Sequence, residues 1–211
     1  MINMDIYGLK SAFNCLKKIM DKNRETLIEL DSVMGDGDLG ITMQKAFTSA
    51  QAEAQIFESE ELGDLMIKIG MKISQSAPST MGTLLAKGFI SGGKSIPEIK
   101  TLSLSNLAVF FRAFTQGIMD AGKTKPGNKT IVDALYPAST AMEKASAENK
   151  SLAEGIESAY LESLKGVENT KSMKAQHGRA AYYQEKSIGV IDAGAKVGSL
   201  IFEGFYLAVS E

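Results

Sequence analysis

Three aspartates lie close together in a glycine-containing stretch near the beginning of the chain. Residues 31–40 read DSVMGDGDLG, which places Asp31, Asp36 and Asp38 within eight positions. Two carboxylates held about 5 Å apart repel each other by about 3 kcal/mol at an effective dielectric constant of about 20. Because glycine tolerates positive φ, Gly35 and Gly37 permit a turn in which all three carboxylates converge despite this cost.

The residue types of this cluster suit a hard cation. Oxygen ligands without a nearby histidine or cysteine favour Mg²⁺, which keeps water ligands and often shares its coordination shell with phosphates. A continuous helix would separate the carboxylates, since Asp36 would lie about 140° from Asp31 around the helix axis. The spacing also excludes an EF-hand loop, which needs a ligand at its third position and Glu at its twelfth. From these residues alone, a solvated turn and a metal site both remain open.

Other breaks between apolar stretches contain groups that could bind phosphate. Hydroxyls and free N–H groups at helix N-termini bind phosphate oxygens, and an arginine guanidinium binds them in a bidentate manner. Taken alone, each of these groups is explained as a helix cap, a loop residue or a solvated side chain. Together they would surround one end of a helical bundle; they are found in APSTMG (77–82), AGKTKPGNKT (121–130), HGRAA (177–181) and IDAGA (191–195).

The apolar residues recur with the period of an α-helix. Leu9, Phe13, Leu16 and Met20 occupy one helix face, and similar patterns extend over 107–118 and 156–167. Ser151 begins a capping-box pattern, and we expect further helices near 42–57, 61–75, 80–90, 129–147 and 194–209. Alternation typical of strands is absent from the sequence. We therefore predict an all-α protein of about eight antiparallel helices in a single domain spanning 1–211, with Pro137 kinking or interrupting its helix.

Composition excludes several function classes. With 23 basic and 25 acidic residues the chain has a formal net charge of −2 and no basic run, so we expect no nucleic-acid partner. No apolar stretch approaches the length of a membrane span, and the opening MINMDIYGLKS is unlike a signal peptide, so we expect a cytoplasmic protein without a membrane partner. One Cys15 and one His177 exclude a disulfide framework and a histidine-rich metal site; we interpret His177 as a solvated residue near a helix end.

Residues 88–95 match the phosphate-binding P-loop pattern, but their context does not. GFISGGKS has glycine at 88 and 93, followed by Lys94 and Ser95. A P-loop needs a strand before it and a helix after it. Here the preceding TMGTLLAKGF is helical in character, and the following IPEIKTLSLS is not. We therefore reject the P-loop and interpret the segment as a glycine-rich connection between helices.

In their order along the chain, these motifs resemble the ADP-binding L subunits of dihydroxyacetone kinases. The resemblance covers nearly the full length through LDSVMGDGDLG, APSTMGT, KPGNKTIVDAL and HGRAAYYQEKSIGVIDAGA. It implies a barrel of eight antiparallel helices that holds a nucleotide at one end. It also implies a phosphotransferase that passes a phosphoryl group from bound ADP/ATP to dihydroxyacetone on a separate K subunit. A phosphohistidine-bearing M subunit of the phosphotransferase system would recharge it, and a homodimer is one candidate assembly.

The resemblance also assigns individual residues. Asp31, Asp36 and Asp38 would bind two Mg²⁺ ions, and many family members have His and Asn where this chain has Leu39 and Thr42. Leu39 cannot donate to a phosphate, and Thr42 offers one hydroxyl. The alternatives are an ATP-dependent kinase subunit for another triose or tetrose ketose, or a non-catalytic regulatory paralogue. The implied nucleotide-binding residues are Leu39, Gly40, Thr42, Ser79, Thr80, Gly82, Gly122, Thr130, Ile131, Arg179, Asp192, Ala193 and Gly194.

Overall fold

The computed structural model describes residues 3–210 and is built almost entirely from helices. Short 3-10 segments, Thr170–Ser172 and Arg179–Ser187, lie between the last two α-helices, and an isolated bridge pairs Met4 with Leu102. Within residues 3–210, no helix is both long and apolar enough to cross a bilayer. The nine α-helices of this range are α1 (Ile6–Lys22), α2 (Arg24–Ser32), α3 (Leu39–Ile56), α4 (Leu62–Ser76), α5 (Thr80–Lys94), α6 (Leu104–Gly122), α7 (Val132–Ala147), α8 (Leu152–Asn169) and α9 (Ala193–Ser210).

Eight of these helices form a closed ring. Around the ring, α1 packs on α3, each helix from α3 to α9 packs on the next, and α9 packs back on α1. Neighbours joined by short connections run antiparallel, so the helices alternate in direction. The predicted all-α barrel of about eight antiparallel helices is therefore confirmed. The additional helix, α2, packs mainly on α3 outside the ring sequence.

The interior of the ring is filled by aromatic and aliphatic side chains. Phe89 contacts three other phenylalanines, with ring centroids 5.0 Å from Phe114, 6.0 Å from Phe13 and 6.3 Å from Phe110. Phe111 packs against Phe202 at 4.5 Å, which joins α6 to α9 across the interior. These tilted and edge-on arrangements are the favoured geometries for aromatic pairs. The predicted apolar faces of α1, α6 and α8 are the buried faces of those helices.

Several predicted boundaries differ from the structure. Helix α2 was not predicted, because only Leu27 in its nine residues is buried and its apolar period is weak. Helix α3 begins at Leu39 rather than near 42, and α7 begins at Val132 rather than near 129. Of the kink or interruption predicted at Pro137, the interruption is wrong, since α7 continues through this residue, and the kink stays a prediction. The capping box at Ser151 is confirmed at the start of α8.

The glycine-rich stretch 88–95 is the last part of a helix, not a connection between helices. Gly88, Gly93 and Lys94 all lie inside α5, and Ser95 is its C-cap. Along this stretch, α4 and α5 approach each other closely at their glycines. A Cβ on Gly93 would lie 2.6 Å from the Gly63 carbonyl oxygen, and a Cβ on Gly63 would lie 2.7 Å from the Gly93 carbonyl oxygen. The rejection of a P-loop is consistent with this arrangement, since the segment before Lys94 is helical.

Replacing Gly93 with alanine tests this contact. Helix propensity alone favours alanine by about 1 kcal/mol. The added methyl group would meet backbone atoms of α4, so we expect Gly93→Ala to lower the free energy of unfolding by about 1–3 kcal/mol. Denaturant unfolding measures this change, with Thr83→Ala on the exposed side of α5 as the control. Stabilisation by Gly93→Ala would contradict the proposed close packing of α4 and α5.

Candidate functional site

The three aspartates converge at the junction of α2 and α3. Asp31 lies in the last turn of α2, while Asp36 and Asp38 lie in the connection that follows. Each offers a carboxylate oxygen, and these oxygens all lie within 4.8 Å of one another. Oδ2 of Asp31 also accepts the backbone N–H groups of Asp38 at 3.1 Å and Leu39 at 3.4 Å, so it caps the N-terminus of α3. The turn expected from sequence therefore forms, with Asp31 supplied by a helix end.

Glycine is required for this turn to close. Gly37 has a φ of +72°, in the left-handed region, and a Cβ at this position would lie 2.6 Å from Oγ of Ser32. Gly35 donates its N–H to the Asp31 carbonyl at 2.6 Å, and a side chain there would overlap the Asp31 carboxylate. The two glycines therefore let the connection fold back over the end of α2 and place Asp36 and Asp38 beside Asp31.

The charges of this cluster are only partly balanced. Burial raises the pKa of Asp38 above its usual value, and the neighbouring carboxylates of Asp36 and Asp31 raise it further. Arg179 opposes this shift and lies across the cluster, with its Nη2 atom 2.7 Å from Oδ2 of Asp36. Because both side chains of this pair are largely exposed, the ion pair adds little stability. A multivalent cation could neutralise the cluster more fully.

A cavity of about 490 Å³ lies between the start of α5, the end of α6, the loop before α7 and the stretch at His177. Four of the predicted nucleotide-binding residues, Thr80, Gly122, Thr130 and Ile131, are among its lining residues. A second groove of about 530 Å³ is formed by α1 and the connection between α3 and α4, where no predicted site residue lies. The first cavity is lined by Thr80, Thr83, Leu84, Ala121, Gly122, Thr124, Thr130, Ile131, His177 and Gly178.

Four helix N-termini point toward the end of the ring that contains the cavity and the acid cluster, which consists of Asp31, Asp36 and Asp38. Because helix direction alternates around the ring, α3, α5, α7 and α9 all begin there, and each N-terminus has a partial positive charge. Ser79 caps α5 by accepting the Gly82 N–H at 3.0 Å. The start of α9 lies close to that of α7, since a Cβ on Gly194 would lie 3.3 Å from the Ile131 nitrogen.

A buried aspartate, Asp133, shapes the loop before α7, and a partly exposed one, Asp192, shapes the start of α9. Asp133 accepts the N–H groups of Gly127 at 2.5 Å and Thr130 at 2.7 Å, which fixes the loop against α7. Asp192 accepts the Ala195 N–H at 2.7 Å and so caps α9. The enclosure of its carboxyl group raises the pKa of Asp192 to about 7, although the Ala195 hydrogen bond and the Lys129 charge lower it.

The structure brings together most of the predicted site residues, but not all of their side chains face the site. Leu39 is buried within the hydrophobic core, so only its backbone N–H points to the acid cluster. Gly40 and Gly82 are buried where the chain passes close to the carbonyls of Arg24 and Ala77. Thr42, in the first turn of α3, is partly exposed. Ala193 and Gly194 form the first turn of α9 next to Asp192.

The interpretation of His177 as a solvated residue near a helix end is corrected. His177 is half-buried in the irregular stretch before the 3-10 helix Arg179–Ser187, and it lines the cavity. Its Nε2 atom lies 3.3 Å from Oδ1 of Asn128, an oxygen that already accepts the Lys125 N–H. Nε2 is therefore the protonated nitrogen in the neutral ring. The only sequence signal that His177 lies at the cavity was its position two residues before Arg179.

An all-α barrel with an acid cluster at one end and helix N-termini around it defines a class of protein suited to binding a cation and phosphate together. The DAK2 domain family matches residues 33–207, which is most of the chain. The chain therefore belongs to the DAK2 domain family. The aspartates at 36 and 38 and the segments that form the cavity all lie within the matched range.

Relatives of similar length are subunits of dihydroxyacetone kinases. The chain is 28% identical over 193 residues to the ADP-binding subunit DhaL of the PEP-dependent dihydroxyacetone kinase of Escherichia coli K12, covering 92% of each protein. It is 31% identical over 192 residues to the L-erythrulose kinase of Pectobacterium atrosepticum, covering 88% of this chain and 32% of that protein.

The fold is shared with a solved structure. The dihydroxyacetone kinase of C. freundii superposes with a TM-score of 0.72 at 22% identity, over 96% of this chain and 34% of that protein. The same enzyme in complex with AMP-PNP and Mg²⁺ superposes with a TM-score of 0.71 at 23% identity. This chain thus spans about a third of the length of that enzyme.

The raised pKa of Asp192 leads to a pH-dependent stability. A carboxyl with a higher pKa in the native state favours its neutral form, so its contribution to stability falls as pH rises from about 4 to about 7. We expect the free energy of unfolding of the unmodified protein, relative to Asp192→Asn, to fall by at least about 1 kcal/mol between about pH 5 and about pH 8. Denaturant unfolding across this range measures the difference, with the exposed Asp120→Asn as the control. If the free energies of unfolding of the unmodified protein and of Asp192→Asn changed in parallel with pH, the raised pKa of Asp192 would be contradicted.

Proposed function

We propose that this chain is the nucleotide-binding subunit of a dihydroxyacetone kinase. In this function it holds ADP/ATP with Mg²⁺ and transfers the phosphoryl group to dihydroxyacetone on a separate K subunit. The main observation in support is the acid cluster, whose carboxylate oxygens lie within 4.8 Å of one another and face Arg179 in a DAK2 domain. Full-length similarity to an ADP-binding subunit supports the same function.

Asp31, Asp36 and Asp38 fit a magnesium site. Their ligands are all oxygens. Burial raises the pKa of Asp38, and a cation would relieve the repulsion from Asp36 and Asp31 that raises it further. Two Mg²⁺ would contribute a charge of +4 against −3 from the carboxylates, so the site would still attract phosphate oxygens. When bound, the ions would neutralise charge on the transferring group, which is the main requirement of phosphoryl transfer.

The residues around the cavity would position the nucleotide. Thr80 and the N-terminus of α5 would contact phosphate oxygens, and Arg179 would exchange its contact with Asp36 for one with phosphate. Gly122, Thr130 and Ile131 would lie beside the base or ribose, and the start of α9 from Asp192 to Gly194 would close the site. At the start of α3, Leu39 would contribute only its backbone N–H and Thr42 its hydroxyl, since the Thr42 N–H donates to the Asp38 carbonyl.

The remaining components of the reaction would come from partners. The general base for the substrate hydroxyl would belong to the K subunit, and a phosphohistidine on an M subunit would convert bound ADP to ATP. We further propose that the protein works in the cytoplasm, either as a monomer or as a homodimer. The names of four relatives support partner subunits in general, since these relatives are ADP-binding subunits of PEP-dependent or PTS-dependent kinases.

A kinase subunit for a tetrose ketose is the alternative, favoured by the 31% identity to an L-erythrulose kinase. Such an ATP-dependent enzyme would exchange its nucleotide freely. Native mass spectrometry after desalting separates the two functions. A retained ADP supports the dihydroxyacetone kinase subunit, in which bound ADP is converted to ATP in place. A non-catalytic regulator of the same family is distinguished by the absence of product when K and M partners and phosphoenolpyruvate are supplied.

The substitution Asp36→Asn tests the metal assignment. Removing one charge from the cluster should abolish kinase activity with K and M partners and weaken Mg²⁺-dependent ADP binding by at least about tenfold. The helical fold should persist, because Asp36 is exposed and lies outside the helices. Activity assays, calorimetric ADP titration and circular dichroism measure these three outcomes.

The matched controls are Asp64→Asn, an exposed aspartate in the first turn of α4, and Lys94→Ala, the lysine of the rejected P-loop pattern. Both should bind ADP as the unmodified protein does. Near-normal activity of Asp36→Asn would overturn the metal site, and loss of ADP binding in Lys94→Ala would restore the P-loop.

A further inference from the structure

Lys129 is a charged residue that the proposed chemistry does not use, and it is almost completely buried. Only 2% of its surface is exposed, although lysine is rarely buried without a partner. It precedes Thr130 in the loop between α6 and α7, with a φ of +58°. Burial lowers its pKa, while Asp192 and Asp133 oppose that shift. Such a residue is costly, so its contacts indicate why the fold retains it.

The Lys129 ammonium group joins two points that are distant along the chain. Its Nζ atom donates to the Thr170 carbonyl at 2.6 Å and to the Val190 carbonyl at 2.5 Å. These two residues flank the segment 171–189, which contains His177 and Arg179. One buried cation therefore holds both ends of the segment that places a guanidinium beside the acid cluster.

Further hydrogen bonds surround this anchor but do not replace it. The Gly189 N–H donates to the Lys171 carbonyl at 2.7 Å, and the Gln176 N–H donates to the Asn128 carbonyl at 3.2 Å. Between these points the segment is mainly solvent-exposed, and Tyr182 is 87% exposed. The segment thus has few apolar contacts of its own, so its position depends on the anchoring of its two ends and on the polar contacts of His177 and Arg179.

Resting on the proposed function, we infer that Lys129 is a positioning residue for the nucleotide site: by binding the Thr170 and Val190 carbonyls, it fixes segment 171–189 so that Arg179 faces the metal-bound phosphates. An apolar replacement leaves two carbonyls without their charged donor. Arg179 and His177 are then free to move relative to the cavity. Asp192, which is two residues beyond Val190, loses the nearby charge at the same time.

The test compares Lys129→Met with the control Lys87→Met, which removes an exposed lysine on α5. Calorimetric titration with ADP and Mg²⁺, well below the unfolding temperature, should show at least about tenfold weaker binding for Lys129→Met and unchanged binding for Lys87→Met. Without nucleotide, trypsin should cleave Lys129→Met after Lys174 and Arg179 at least about tenfold faster than it cleaves the unmodified protein.

The outcomes separate the inference from the proposed function. If the unmodified protein does not bind ADP with Mg²⁺, the proposed function fails. If it binds ADP and Lys129→Met binds equally well, or if trypsin cleavage is not accelerated, the positioning role of Lys129 is wrong.

A second measurement applies if Lys129→Met does not fold. In the unmodified protein, the buried Lys129 ammonium group should give a slowly exchanging ¹H–¹⁵N signal at neutral pH that shifts when ADP and Mg²⁺ bind. Rapid exchange of this ammonium with solvent, or a signal unaffected by ADP, would overturn the inference.

Discussion

The alternating direction of eight helices around a closed ring is the constraint on which the rest of the structure depends. Because neighbours run antiparallel, every second helix begins at the same end, and α3, α5, α7 and α9 direct their positive N-termini there. Unpaired N–H groups at this end must be satisfied by acceptors. Asp31, Ser79 and Asp192 each accept such N–H groups at the starts of α3, α5 and α9. The fold itself therefore concentrates acceptors and anion-binding groups in one place.

The acid cluster uses more negative charge than capping requires. Asp31 alone caps α3. Burial raises the pKa of Asp38, and repulsion from the nearby carboxylates of Asp36 and Asp31 raises it further. Arg179 offsets part of that repulsion through an exposed contact with Asp36. A residual negative charge beside four helix N-termini suits a cation that binds both carboxylates and phosphates. In the proposed function, bound Mg²⁺ lets the negatively charged carboxylates and the negatively charged phosphates lie at the same end of the barrel.

Much of this arrangement could be predicted from sequence because it is local. The apolar period identified the faces of α1, α6 and α8, and the glycines around Asp36 and Asp38 indicated the turn. Helix α2 gave a weak signal because it packs outside the ring. Gly93 near the end of α5 packs against Gly63, a residue of another helix, and no local pattern reveals that contact.

The parts of the site that escaped prediction are those formed over long distances. Lys129 contacts carbonyls 41 and 61 residues away, and His177 meets Asn128 across 49 residues. Both residues were within motifs that the sequence identified, yet their environment exists only in the folded chain. Asp192 was predicted near the nucleotide, but its pKa of about 7 arises from enclosure by the surrounding segments. Composition and spacing indicate which side chains could act as ligands, whereas burial in the folded chain affects whether those side chains are charged.

In the proposed function, the three aspartates bind the cations that hold the nucleotide phosphates. Crystals of the protein grown with ADP and Mn²⁺, a substitute for Mg²⁺ with an anomalous signal, test it most directly. The account predicts anomalous density in contact with Asp31, Asp36 and Asp38, bridging to the phosphates of an ADP in the cavity beside Thr80 and Ile131. ADP bound in that cavity without a metal at the aspartates, or metal and nucleotide bound elsewhere, would contradict it.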